Sequence, residues 1–348
     1  MVDLGPVAGN IARGEAGAVR MIGGLQMLRG VAATLVVLFH LQAAAVAEGH
    51  DAGLLAWFLG GEVGVDVFFV LSGFVIFHAV EGRGGMTATG FLRQRFWRIV
   101  PPYWAVLGLT LLALAGLGVM RGDWADWPSA WELFVSILLL PLPDQVMAVA
   151  WTLTVEGLFY LLFAATYFRF GARGAIAALA LWSAVTLAMK LMHVQLPGEF
   201  GVLAYSGVIE FLYGGLIALA VARGWRAGAV PALVLGVLGL AVVVAGHVSI
   251  YLGRAWVAGL PAAALVYGLA AGNWRVPNWT LVWGEASYLL YLLHLLVFSV
   301  AGTALRMIGI APYGSLPAML FLGALSIVLS VAATLWLERP YRRWTKGR

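Results

Sequence analysis

Long apolar runs alternate along the chain with short polar or Gly/Pro-rich breaks, and the length of those runs sets the expected architecture. A helix rises 1.5 Å per residue, so about 20 apolar residues cross roughly 30 Å of hydrocarbon. Ten runs have that reach: 24–47, 60–80, 100–119, 147–169, 174–192, 202–222, 229–247, 250–271, 280–304 and 314–338. They predict an all-α, polytopic integral membrane protein with about ten transmembrane helices. The stretch from Trp131 to Pro143 is also apolar but too short to cross, and Pro128, Pro141 and Pro143 bound it, so an interfacial or re-entrant helix is expected there. Residues 1–20, rich in Gly and Ala, are expected to be a flexible tail, residues 21–343 a single membrane domain, and residues 344–348 a basic tail. Arg20, Arg29 and the run from Val31 to Leu41 imitate a secretory signal. The positive region starts late, however, and nine further runs follow, so the first run reads as an uncleaved helix.

Composition agrees with the pattern and narrows the chemistry. Of 348 residues, 62% are hydrophobic and 11% charged, with a mean hydropathy of +0.94. A water-facing domain carries about 25% charged residues, so no soluble catalytic domain fits. With no Cys, disulfides, thiolate catalysis and Cys-ligated metals are excluded. The net charge of +5 would point to nucleic acid in a soluble protein, but here topology accounts for it. If the N-terminus is cytoplasmic, sixteen of the 21 Lys and Arg residues fall on the cytoplasmic side and four outside. Both termini are therefore expected in the cytoplasm. No nucleic-acid partner is expected; membrane lipids are.

Ionisable side chains inside apolar runs are costly and mark candidate sites. Here they are Arg29, His40, Asp66, His78, Glu156, Glu210, Glu285 and His294, with His247 near a run's end. Arg29 and His40 are eleven residues apart, about 20° beyond three full turns, so one helix face carries both, about 16 Å apart. Arg suits a phosphate because it stays charged and donates in a fork. His accepts and returns a proton near neutral pH. The pair suits a long phosphate-bearing donor whose reactive end reaches the imidazole. Counted along their helices, His40, Asp66, Glu156, Glu210 and His294 all fall roughly 9 to 15 Å below the outer surface. A carboxylate among them, Glu156 or Asp66, is expected to orient His40 as the acid of a catalytic triad does. Glu210, His294 and Tyr288 are expected on the acceptor side, although Ser287 and Tyr288 also read as packing or hydrogen-bonding groups and the whole set as an interhelical network. No ligand spacing of the His-Glu-x-x-His kind is present, so no metal is expected.

The loop expected after the second run carries Arg93, Arg95 and Arg98, with Pro101 opening the next span. Such a cluster holds phosphates or, more blandly, fixes topology beside anionic lipid. Ser72 lacks a nucleophile elbow and reads as a small residue at a helix contact.

Together these blocks resemble the acyltransferase-3 family of integral membrane acyltransferases. The likeness rests on Leu28-Arg29-Gly30 with Leu38-Phe39-His40, the run Gly64 to Phe74, the stretch Arg93 to Tyr103, Trp151 to Glu156 continuing to Tyr160, Ser287-Tyr288 with His294, and Glu338-Arg339-Pro340. In flavour it is closest to the exopolysaccharide-production members. The Ala/Gly-rich composition points to a bacterial host and so to its inner membrane, and the resemblance implies ten transmembrane helices. It also implies an acyl-CoA donor, with acetyl-CoA foremost and no permanently bound cofactor, and O-acylation of a hydroxyl on a sugar or lipid-linked saccharide. It makes Arg29 and His40 essential and assigns Asp66, Glu156, Arg95 and Arg98 to the functional core. The rival expectation from another class is a transporter with a buried proton or ion relay, but no duplicated halves are evident.

Overall fold

The computed structural model describes residues 23–81, 85–194, 201, 204–246 and 253–346. The expected tail at 1–20 and His247 lie outside them. Among the described residues every regular element is a helix: α1 (Gly23–Ala47), α2 (Gly64–Glu81), α3 (Ala88–Arg121), α4 (Ala130–Leu138), α5 (Ala150–Leu191), α6 (Ile209–Ala222), α7 (Ala229–Val244), α8 (Arg254–Val257), α9 (Gly259–Ala271), α10 (Asn278–Met307), α11 (Leu316–Ala333) and α12 (Arg339–Lys346). Seven of the described helices or helical runs are long and apolar enough to cross a membrane, and those at Ser206–Ala222 and Ala229–Val244 are shorter apolar helices. The protein is a multi-pass membrane protein.

Two departures from the hydropathy reading have local causes. The boundary expected at Pro101 does not exist: α3 starts at Ala88, where the Thr87 side chain accepts the Gly90 N–H at 3.1 Å, and runs through Pro101 and Pro102. Arg93, Arg95 and Arg98 are therefore in the first turns of a membrane helix and not in a loop. Pro101 cannot donate to the Trp97 carbonyl four residues back, and the Tyr341 hydroxyl of α12 donates to that oxygen instead, at 2.9 Å. Conversely, the expected spans 147–169 and 174–192 share one 42-residue run, α5, interrupted at Gly171 by φ 67° and ψ −168°. A Cβ at Gly174 would lie 3.3 Å from the Thr166 carbonyl oxygen, eight residues back and about 12 Å away in a continuous helix. The chain thus turns back at Gly171, whose left-handed φ is open to glycine at no steric cost.

The short apolar stretch forms α4, opened by a capping box in which Ser129 and Glu132 satisfy each other's backbone N–H. Hydrogen bonds from the Ser129 hydroxyl and the Ser129 backbone N–H hold the exposed Glu132 carboxyl below its ordinary value.

Small residues let the helix backbones touch, as is usual where lipid supplies no hydrophobic drive between helices. A Cβ at Gly284 of α10 would sit 1.8 Å from the Gln26 carbonyl oxygen of α1, and one at Gly214 of α6 would sit 2.1 Å from the Val70 carbonyl oxygen of α2. The first contact sets α1 directly against α10, where His40 meets His294.

Candidate active site

Five helices, α1, α2, α3, α5 and α10, enclose a cavity of about 120 Å³. Arg29 reaches it from α1, Arg95 and Arg98 from α3, and Glu156 from α5, while Ser72 of α2 and Tyr288 of α10 are among its other polar groups. Among the described residues, none of the three arginines has a carboxylate within 4.0 Å. The Arg95 guanidinium instead lies over the rings of Phe91 and Tyr160, 5.4 and 5.8 Å from their centroids, with its Nε buried and unpaired. Among the described residues, Glu156 is the single carboxylate on the wall. Its Oε1 accepts from the Ser72 hydroxyl at 2.7 Å and the Tyr160 hydroxyl at 2.5 Å. Three cations and one anion leave the cavity net positive, an arrangement that favours an anionic occupant. Arg93, expected with this group, is exposed and is not part of the wall.

His40 is not among the residues that line that cavity. Its Nδ1 lies 2.9 Å from the Val36 carbonyl oxygen and 3.2 Å from Nε2 of His294. His294, fully buried on α10, places its own Nδ1 3.1 Å from the Leu290 carbonyl oxygen. Tyr291 links the two places. It lines the cavity, its ring centroid is 6.1 Å from that of His294 and 6.2 Å from that of Phe68, another wall residue, and its hydroxyl bonds Thr152 at 2.9 Å.

The shared depth read from the sequence therefore divides into three places. Asp66 does not orient His40. Its two oxygens accept from Nε and an Nη of Arg254, both at 2.7 Å, in a fork with Asp66 fully buried and Glu62 3.6 Å from the same guanidinium. Val65 lines the cavity, and Asp66, 100° further round α2, faces α8 instead. Glu210 belongs to that second cluster beside Asp66 and Arg254, not to an acceptor site next to His40. Glu156 does reach the cavity but bonds Ser72 and Tyr160 rather than the imidazole. Tyr288 lines the wall, yet its hydroxyl donates to the Ile99 carbonyl at 2.7 Å. Glu285 is held by Arg339 at 2.7 Å and lies 3.6 Å from Arg342, which also pairs with Glu338. The clamp fastens α12 beneath the cavity.

Several residues with clear roles here escaped the sequence reading. Ser72 is a donor to Glu156 as well as a small helix-contact residue. Arg254 is one of the four cations, with Arg121, Lys190 and Arg306, that the charge count places outside; its place at the start of an apolar run was the available signal. Nothing local to Tyr291 marks it.

Residues 22–335 match the family described as an acyltransferase domain, of the acyltransferase-3 type. The chain is 30% identical over 336 residues to the exopolysaccharide production protein ExoZ of Rhizobium meliloti, covering 90% of this chain and 96% of that one. Over 101 residues it is 34% identical to BcsY of Komagataeibacter xylinus, provisionally named a membrane-bound transacylase, covering 28% of this chain and 22% of that one. No solved structure matches it.

Proposed function

The chain belongs to this acyltransferase-3 family and is a membrane acyltransferase, and on that premise we propose that it carries an acyl group, acetyl foremost, from acyl-CoA to a hydroxyl of a saccharide. The name of the Rhizobium relative, an exopolysaccharide production protein, supports a saccharide acceptor in a surface polysaccharide or its lipid-linked precursor. The observation that carries the reading is the cavity wall, where Arg29, Arg95 and Arg98 converge with, among the described residues, no carboxylate within 4.0 Å of any of them. Phosphates of the donor occupy the arginine end, and the pantetheine arm runs along α1 toward the histidine. Glu156, fixed by Ser72 and Tyr160, offsets part of the cationic repulsion.

His40 acts as general base. It takes the acceptor hydroxyl proton as the oxygen attacks the thioester carbonyl carbon. The new C–O bond forms, the C–S bond breaks, and the departing thiolate recovers the proton from the imidazolium, so that ester and free CoA are the only products. The membrane-enclosed site limits the competing reaction with water.

The membrane arrangement goes with this reading. The seven long helices, the two shorter ones and the second half of α5 make ten crossings, since 42 residues would extend about 63 Å as one helix. With the basic segments inside, both termini and the arginine end face the cytoplasm, where acyl-CoA is made. The membrane is the inner membrane of a bacterium, as the bacterial sources of both relatives favour.

The test is to supply the purified protein in nanodiscs with [14C]acetyl-CoA and oligosaccharides from the source organism's polysaccharide, de-O-acylated with mild base. Label in a base-labile ester, abolished in His40→Ala, is the expected result. A protein that moves label across a sealed vesicle without forming ester would be a carrier, and the acyl-transfer reading would fall.

A further inference from the structure

From the contacts of the two rings we infer that His294 is a positioning residue that fixes the His40 tautomer, leaving Nε2 of His40 as the nitrogen that takes the acceptor proton. The inference rests on the reading of His40 as base and deepens it.

Three short contacts allow one proton arrangement. A carbonyl oxygen only accepts, so Nδ1 of His40, 2.9 Å from the Val36 oxygen, carries hydrogen. Nδ1 of His294, 3.1 Å from the Leu290 oxygen, carries hydrogen for the same reason. A neutral imidazole has one N–H, so Nε2 of His294 is a lone pair, and it faces Nδ1–H of His40 at 3.2 Å. That hydrogen is shared between the Val36 oxygen and His294. The reverse assignment, with Nε2–H of His294 donating, would set a lone pair against a carbonyl oxygen on both rings. Nε2 of His40 is therefore unprotonated and free of these contacts.

The same arrangement serves the reacting state. When Nε2 takes a proton, the imidazolium charge spreads to Nδ1–H, and the two acceptors already in place stabilise it. No carboxylate does this work: Asp66 is committed to Arg254, and Glu156 to Ser72 and Tyr160. His294 takes the place of the triad acid with a neutral acceptor, and it is fully buried at a helix interface, out of reach of water that would compete for Nδ1–H.

The test combines kinetics with a direct view of the proton. His294→Phe keeps volume and removes the acceptor; His294→Gln places an amide oxygen near the lost nitrogen. With acetyl-CoA as donor and the de-O-acylated oligosaccharides as acceptor, His294→Phe should lower kcat roughly ten- to a hundredfold, the loss of one hydrogen bond to a charged group. The KM for acetyl-CoA should stay within about twofold, and His294→Gln should regain most of the loss, since removing a group that acts only in the reacting state spares binding. In the wild-type protein labelled with 15N-histidine, the signals missing from His40→Ala should show Nδ1 protonated and Nε2 unprotonated. A wild-type spectrum with the proton on Nε2 overturns the inference without any variant. So does full kcat in His294→Phe, or equal loss in both His294 variants, while His40→Ala is inactive. If His40→Ala is fully active, the base reading itself fails.

Discussion

Replacing Arg29 with Gln should separate affinity from stability, because the structure gives this cation no partner of its own. Among the described residues no carboxylate lies within 4.0 Å of it; Arg98 and Arg342 repel it, while Glu156 and Glu338 attract it from farther away. A central Arg costs about 2.5 to 3.5 kcal/mol on insertion scales. Arg29 is the seventh residue of α1, about 9 Å in from its start, so a part of that cost applies. Losing the charge should leave the thermal midpoint unchanged or raise it by a few degrees. The donor pays the opposite way: a hydrogen bond from a charged group contributes about 1.5 to 3 kcal/mol, so the Kd for CoA should rise roughly ten- to a hundredfold. Calorimetric titration of CoA into nanodiscs at two salt concentrations reads the affinity, and the fluorescence of the 15 Trp residues reads the midpoint. Wild-type affinity should fall with salt more steeply than the variant's. A variant that binds CoA as tightly as wild type, or that fails to fold, would refute the assignment of Arg29 to the donor.

Other substitutions should behave differently. Asp66→Asn breaks a fully buried fork and leaves Arg254 only Glu62, 3.6 Å away, so the fold should lose about 3 kcal/mol, seen as a large drop in thermal midpoint, while CoA affinity of the folded fraction stays at the wild-type value. Gly284→Ala should prevent α1 and α10 from closing, since the new methyl would overlap the Gln26 carbonyl oxygen; we expect at least about 1 to 3 kcal/mol of destabilisation, and loss of CoA binding with it. Tyr341→Phe removes the partner of the Trp97 carbonyl left open by Pro101 and should cost about 1 kcal/mol, a small shift of midpoint with CoA binding intact.

Hydropathy and charge made the helical membrane architecture legible, because burying apolar length is a property of each run alone. The boundary at Pro101 was misread for the opposite reason: whether a helix survives a proline depends on a hydroxyl 240 residues away, on Tyr341. The eleven-residue spacing of Arg29 and His40 fixes their rotation within one helix, and in the structure Arg29 lines the cavity while His40 meets His294 of α10. Across helices only depth can be counted, and rotation about each axis cannot. That is why Asp66, Glu156, Glu210, His40 and His294 looked like one group and are three. The carboxylate expected behind His40 proved to be a carbonyl oxygen and a second imidazole, a pairing set by the docking of α1 on α10.

The most direct measurement is single-turnover acetyl transfer by His40→Ala alongside its CoA affinity. The account predicts CoA binding within about twofold of wild type and transfer slowed about a hundred- to ten-thousandfold, the usual contribution of a general base. Transfer at the wild-type rate would contradict it, whatever the affinity.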